Sequence, residues 1–140
     1  MVDTFSRLLA KDGFEVFSEV AYYGHRIDIL AVRDETLWAY EAKLSRWNRA
    51  LNQAQWHMTA VDYSSVVLPL TSVNHVDRES FRQNRIGLVG LSPDGYCVLL
   101  PPHPSRLIWP PTREQLFATV QAFRETGGGL YKCKNRDLAK

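Results

Sequence analysis

The sequence has few cysteines, no long apolar run and little net charge, and these shortages exclude several classes of protein. Cys97 and Cys133 are the only cysteines, and they lie too far apart to share a metal-ligand spacing, so we expect free thiols in a reducing cytoplasm. No run reaches the ~18 apolar residues of a membrane span. The first residues lack the apolar stretch of a secretory signal. We therefore expect a cytoplasmic protein without a membrane partner.

The totals favour one folded domain. Hydrophobic residues make up 45% of the 140 residues, which is enough for a packed core. A net charge of +2 neither requires nor excludes a nucleic-acid partner, since a local basic patch matters more than the sum. We expect a single domain over residues 1–140 with a flexible basic tail from about residue 130. This tail either touches nucleic acid or only solubilises the chain.

Apolar periodicity predicts the order helix, three strands, helix, strand, hairpin, helix. The predicted helices cover residues 3–12, 45–61 and 112–125, and the predicted strands cover 14–23, 25–32, 36–44, 64–70 and a hairpin within 86–100. Ser45 is the expected N-cap of the second helix, and Thr112 with Gln115 forms a possible capping box on the last. Gly13 and Gly127 are expected helix stops. This order predicts an α/β fold with a mixed central sheet flanked by helices on both faces.

The segment RIDILAVRDETLWAYEAKL, residues 26–44, places three charged side chains inside apolar strands. If its two strands form a hairpin with the turn at residues 34–35, Asp28 lies directly opposite Glu41. Opposed residues have Cβ atoms about 4.5–5.5 Å apart, where like charges are destabilising. Two carboxylates this close either share a proton or hold a cation.

Strand alternation predicts which side chains accompany this pair. Lys43 is expected on the face of Asp28 and Glu41, and the opposite face is expected to carry Ile27, Ile29 and Ala31. Mg²⁺ typically takes one or two carboxylates, and the backbone carbonyl of Ala42 offers another hard oxygen. A lysine beside the ion can position or deprotonate a water and neutralise charge on a phosphate. The pattern indicates metal-assisted phosphodiester hydrolysis.

These residues also carry a resemblance to a known family. Asp28, then Glu41-Ala42-Lys43, then Gln53 on the following helix resembles the PD-(D/E)XK nuclease superfamily. The stretch SEVAYYGHRIDILAV, with YEAKL, NRALNQA, VVLPL and IGLVGLSPDG after it, is similar to a group of bacterial phosphodiesterases of that superfamily. The resemblance covers roughly residues 1–100.

The resemblance implies a restriction-endonuclease-like core and a residue set. It implies that Asp28 and Glu41 bind Mg²⁺ or Mn²⁺ with help from the Ala42 carbonyl. It implies that Lys43 positions the attacking water, and that Gln53 contacts the active centre as it does in several members. DNA is the implied substrate.

The sequence also departs from the family pattern. Ile27 stands where the motif has proline, although many members lack that proline. Members often have a further acid on the first helix or first strand. Glu19 is our candidate for this additional metal ligand, because it lies on the strand leading to the hairpin, and Asp3 is the second candidate.

Neighbouring cations permit two interpretations. Arg46, Arg49 and Gln53 are three and four residues apart, so they share one face of a helix. Either this face binds DNA phosphates through the two arginines, or it is an ordinary solvated face. Glu-x-Lys alone is also typical of a solvated strand end.

Aromatic residues and histidines near these motifs have structural alternatives. Trp47 and Trp56 are expected to pack on the sheet rather than to stack on bases. His25 and His57 could lie near the site, but surface or structural roles are the simpler expectation for isolated histidines.

We therefore expect a small Mg²⁺-dependent endodeoxyribonuclease. A chain of this length has little surface for sequence recognition, so we expect structure-selective cutting, a homodimer or a partner protein that recruits the DNA. One alternative is a non-catalytic nucleic-acid-binding or scaffolding member of the same fold. Another is an unrelated α/β interaction domain in which the charged trio is a salt-bridge cluster.

Overall fold

The computed structural model describes residues 1–127. Its helices are α1 Val2–Lys11, α2 Trp47–His57, α3 Arg78–Gln83 and α4 Pro110–Thr126, and a 3-10 helix covers Leu70–His75. Its strands are β1 Glu15–Tyr22, β2 His25–Arg33, β3 Thr36–Ala42, β4 Tyr63–Pro69, β5 Gly87–Ser92 and β6 Gly95–Leu100. The predicted order of elements is confirmed, except that the 3-10 helix and α3 are added between β4 and β5. The predicted basic tail and Cys133 lie outside the described residues.

One mixed sheet of six strands organises the chain, with the strands in sequence order from β1 to β6. The pairs β1–β2, β2–β3 and β5–β6 are antiparallel, whereas β3–β4 and β4–β5 are parallel. Helix α2 makes the crossover between the parallel strands β3 and β4, as parallel pairing requires. The predicted hairpin register is confirmed, since Ile29 pairs with Tyr40 and Leu30 with Ala39.

Helices cover both faces of the sheet, as the sequence predicts. Phe5 and Leu9 of α1 pack on one face, in a cluster that spans β1 to β5. On the other face, Leu116 and Val120 of α4 cover β1 to β3, while α2 packs on β4 and β5. None of the helices in residues 1–127 is long and apolar enough to cross a membrane.

The predicted helix starts are wrong. Helix α2 begins at Trp47 after Arg46, which adopts a left-handed conformation with φ +58°, and no side chain of residues 1–127 caps it. The chain needs this turn because β3 ends at Ala42 and reverses direction over a few residues. Helix α4 begins earlier than predicted, at Pro110, since proline suits the first turn of a helix. Gln115 is not a cap, because its Oε1 accepts a hydrogen bond from the Tyr23 N–H.

The predicted alternation along β2 is wrong at Asp28. The side chains on the α4 face are Ile27, Leu30 and Val32, and those on the α1 face are Ile29 and Ala31. Asp28 separates the two patterns, and Glu19, its register neighbour on β1, has φ +53°. Neither ladder includes Asp28 as a paired residue. Asp28 stays within β2 but outside the ladder pairs, and its side chain accepts a hydrogen bond from the Ala42 N–H.

Candidate active site

A cavity of about 230 Å³ opens beside the C-terminal end of β3. It is lined by Gly24, His25, Arg26, Asp28, Lys43, Gln53, Trp56 and His57. The β1–β2 turn, the two central antiparallel strands and α2 all contribute to it. The structure therefore brings together Asp28, Lys43 and Gln53, three of the four residues predicted to be catalytic. The fourth, Glu41, is 1% exposed and bonds to the cavity-lining His57.

The Asp28 carboxylate continues the β2–β3 ladder with its side chain. Its Oδ2 accepts a hydrogen bond from the backbone N–H of Ala42 at 3.0 Å. Burial raises the pKa of Asp28, and the charge and hydrogen bonding of Glu41 raise it further. The Ala42 hydrogen bond and the charge of Lys43 act in the opposite direction. The predicted pairing of two carboxylates is thus present, and it favours a proton or a cation between them.

A buried histidine holds Glu41. The Nε2 atom of His57 lies 2.5 Å from Glu41 Oε1, and its Nδ1 atom lies 2.6 Å from the hydroxyl of Tyr22. Both contacts are satisfied when the neutral ring donates from Nε2 to Glu41 and accepts from Tyr22 at Nδ1. Burial, followed by the charge of Glu41, raises the pKa of Tyr22, so the hydroxyl keeps its proton.

Sequence reasoning allowed His57 near the site but favoured a surface or structural role, and it missed that His57 binds Glu41. His57 lies four residues after Gln53 on α2, and residues at this spacing share a helix face. Both line the cavity. The Gln-x-x-x-His spacing was the available signal. The contact partner Tyr22 is distant in the sequence, so no local pattern indicated it.

Lys43 and Gln53 supply two further polar groups to the cavity. The backbone N–H of Lys43 bonds to Val67 O at 3.0 Å, which extends the parallel pairing beyond the end of β3 and fixes the residue at the cavity. The Oε1 atom of Gln53 is buried and has no hydrogen-bond partner within residues 1–127. Buried acceptors normally have a hydrogen-bond partner, so this oxygen is available to a water, an ion or a ligand.

The additional acidic ligand has no support from the structure. The side chain of Glu19 is 72% exposed, and its nearest charged partner is Arg26 at 4.0 Å. Asp3 is exposed on α1. Within residues 1–127, no group of three or more His, Cys, Asp and Glu side chains is arranged to hold a metal ion. The acidic part of the site consists of Asp28 and Glu41.

The predicted arginine face is only partly present. Arg49 lies in α2 one turn before Gln53, as expected, but Arg46 precedes the helix in a left-handed conformation and does not share the helical spacing. Both arginines are exposed, and neither lines the cavity.

The two tryptophans of α2 have different positions. Trp47 packs against the core cluster over β4 and β5, as predicted, and its ring centroid lies 6.0 Å from that of Phe81 on α3. The same prediction is wrong for Trp56, which is 59% exposed and stacks on His25 with centroids 5.2 Å apart and planes at 25°. Trp56 lies on the helix face that meets the β1–β2 turn rather than the sheet.

Comparison with known proteins adds one structural likeness. The chain is similar to a protein of unknown function from Silicibacter pomeroyi, with a TM-score of 0.67 and 18% sequence identity over 89% of this chain and 84% of that one. At this identity the likeness concerns the fold alone. No protein-family model matches the sequence, and no curated protein matches it either.

Proposed function

We propose that the protein is a Mg²⁺- or Mn²⁺-dependent DNA phosphodiester hydrolase, a small endonuclease with a restriction-endonuclease-like core. The observation that carries the proposal is the convergence of Asp28, Lys43 and Gln53 on one open cavity, with Glu41 directly behind it. These are the four residues that the resemblance implies for catalysis. They come from β2, the end of β3 and the crossover helix, so the fold has to assemble them.

The available donors fit a hard divalent cation. Asp28 and Glu41 offer carboxylate oxygens, the Ala42 carbonyl adds a neutral oxygen, and Gln53 leaves a buried amide oxygen without a partner. Oxygen-only donor sets suit Mg²⁺ and Mn²⁺. Asp28 and Glu41, with Ala42, would hold the ion, which when bound polarises the phosphate and lowers the pKa of a coordinated water.

The protein's own groups have separate tasks in this proposal. Lys43 orients the attacking water and stabilises negative charge that develops on the scissile phosphate. Gln53 positions Lys43 or a phosphate oxygen through its amide. His57 fixes one oxygen of Glu41 through a hydrogen bond and thereby sets the direction of the other oxygen, as hydrogen-bonded partners of metal ligands do.

One observation favours a second candidate function. Both carboxylates already have protein partners, since Asp28 bonds to the Ala42 N–H and Glu41 bonds to His57. A network that satisfies its own polar groups can serve stability alone. The alternative is a non-catalytic nucleic-acid-binding or scaffolding protein of the same fold.

A cleavage assay separates the two candidates. Supercoiled, single-stranded and branched DNA and an RNA are incubated with Mg²⁺ or Mn²⁺ and either the wild type or Lys43→Ala. We expect the wild type to cut at least one DNA form, and Lys43→Ala to cut it about 100-fold more slowly or worse. Lys11→Ala, which removes an exposed lysine at the end of α1, is the matched control and keeps wild-type activity. Absence of cutting in every form contradicts the hydrolase and favours the binding protein, and equal cutting by the wild type and Lys43→Ala contradicts the role of Lys43.

A further inference from the structure

Aromatic rings are exposed next to the candidate active site. Tyr23 in the β1–β2 turn, Trp56 on α2 and Trp109 before α4 are 54%, 59% and 58% exposed. Trp56 stacks on His25, and Tyr23 lies beside Trp109 with ring centroids 6.4 Å apart. We call Tyr23, His25, Trp56 and Trp109 the aromatic platform.

The aromatic platform encloses a cleft that adjoins the active-site cavity. The cleft has a volume of about 190 Å³, and all four rings line it. His25 and Trp56 line both the cleft and the cavity that holds Asp28 and Lys43. A ligand that lies in the cleft is therefore next to the groups that we assign to phosphate chemistry.

The backbone beneath these rings is fixed. The Tyr23 N–H bonds to Gln115 Oε1 at 2.8 Å, and the Trp109 N–H bonds to Thr59 O at 2.9 Å. The Ser105 hydroxyl donates to Met58 O, which ties the proline-rich segment 101–109 to the end of α2. The backbone positions of Tyr23 and Trp109 are thus fixed, while the side chains of Tyr23, Trp56 and Trp109 remain more than half exposed. Exposed, preorganised aromatic faces contribute little to the core and are suited to binding.

The charges beside the aromatic platform complement a phosphate backbone. Arg26, which is 65% exposed, and Lys43 line the adjoining cavity. Aromatic faces for bases combined with cations for phosphates are the pattern by which proteins bind single-stranded nucleic acid. Paired bases in a duplex have their faces covered by their neighbours, so they cannot stack on these rings without being unpaired.

We propose that the aromatic platform stacks unpaired bases next to the scissile phosphate, so that the substrate class is single-stranded DNA or a single-stranded region of a junction or flap. This inference rests on the proposed hydrolase function, because it names the substrate class of that enzyme. Its binding step requires no cleavage and is tested separately.

Fluorescence anisotropy without divalent cations measures the binding step. The probes are a labelled oligothymidylate and a labelled duplex of equal length. We expect the wild type to prefer the single strand, and Trp56→Ala to bind it about 5-fold to 100-fold more weakly, with little change for the duplex. Trp56→Phe, which retains an aromatic face, keeps most of the affinity. Val98→Ala, an exposed apolar residue on the distant edge strand β6, is the control and binds as the wild type does.

Three outcomes overturn the inference: no binding of the single strand, equal binding by wild type and Trp56→Ala, or a preference for the duplex. Sedimentation velocity on the same proteins gives a fourth such outcome. In it the wild type forms dimers, Trp56→Ala does not, and both proteins bind the single strand equally. Failure of the hydrolase is distinguishable, because it leaves anisotropy unaffected and removes only cleavage. Conversely, cleavage of DNA by a Trp56→Ala protein with full affinity refutes the aromatic platform and leaves the hydrolase intact.

Discussion

The two ends of β3 each have an aspartate that bonds to the strand's backbone. At the start of the strand, Asp62 Oδ2 accepts from the Leu37 N–H at 2.8 Å. At its end, Asp28 Oδ2 accepts from the Ala42 N–H at 3.0 Å. In hydrogen bonding the two carboxylates have the same task, which is to satisfy a donor where the regular ladder stops.

The charges around these two aspartates differ, because Asp62 has a cation in direct contact, whereas Asp28 has Glu41 beside it and only a weaker influence of Lys43. Arg113 Nη2 lies 3.0 Å from Asp62 and compensates its charge. No salt bridge within residues 1–127 joins Asp28 to a cation, and burial and then the charge of Glu41 raise the pKa of Asp28 against the lowering effect of Lys43. A carboxylate that serves only the fold is accompanied by its counter-charge. A pair of like charges requires a proton or a cation from solution, and such perturbed groups cluster at functional sites.

The largest expected effect is on the free energy of unfolding, when His57, which holds Glu41 beside Asp28, is removed. His57→Ala should lower the free energy of unfolding by about 2–5 kcal/mol, because Glu41 and Tyr22 lose buried partners and a cavity remains. Tyr22→Phe removes one hydroxyl and should cost about 1 kcal/mol. Urea unfolding measures both changes.

The control for this prediction is His75→Ala, which removes an exposed histidine at the end of the 3-10 helix. It should change the free energy of unfolding by less than about 0.5 kcal/mol. If His57→Ala changes the free energy of unfolding as little as this control does, His57 does not hold Glu41. The buried contacts of Tyr22, His57 and Glu41 then do not support the site.

A divalent cation should distinguish the two aspartates. Mg²⁺ or Mn²⁺ at a hundred times its Kd should stabilise the wild type by about 2.7 kcal/mol, because only the folded chain presents the site. Asp28→Asn should abolish this stabilisation, and Asp62→Asn should retain it. Thermal unfolding at several metal concentrations provides the measurement. Equal shifts in the wild type and Asp28→Asn would show that no ion binds between Asp28 and Glu41.

Much of the candidate site follows from local sequence. A short turn between two apolar strands determines the register, which runs to Ile29 paired with Tyr40, and Asp28 and Glu41 are the next residues on the two strands. Lys43 follows two residues later, and Gln53 is carried by the helix that a parallel crossover needs. Periodicity and turn chemistry are properties of neighbouring residues, so a single sequence was sufficient to predict them.

The rest depends on contacts between distant segments. The partner of His57 is Tyr22, and the aromatic platform unites a turn, α2 and the residues before α4. The irregularity at Asp28 could not be predicted either, because the sequence pattern around an unpaired strand residue is the same as that around a paired one. Isolated histidines and tryptophans acquire their roles only when the tertiary fold selects their neighbours.

The smallest effect is on the stability of the metal-free protein at neutral pH. Asp62→Asn weakens the ion pair with Arg113 and should lower the free energy of unfolding by about 0.5–1 kcal/mol. Asp28→Asn keeps an acceptor for the Ala42 N–H and removes a charge next to Glu41, so it should leave stability unchanged or raise it. Two aspartates with the same backbone bond should thus respond oppositely to the same substitution.

The dependence of this difference on pH has a definite sign. The pKa of Asp28 is raised above its ordinary value of 3.8, so the folded chain binds this proton more tightly than the unfolded chain does. Its contribution to stability is therefore complete below 3.8 and is lost as pH rises through the raised pKa. Urea unfolding without metal, from below pH 3.8 upward, should show that the free energy of unfolding of Asp28→Asn rises relative to that of the wild type as pH increases. A constant difference would mean that the pKa of Asp28 is not raised in the folded chain.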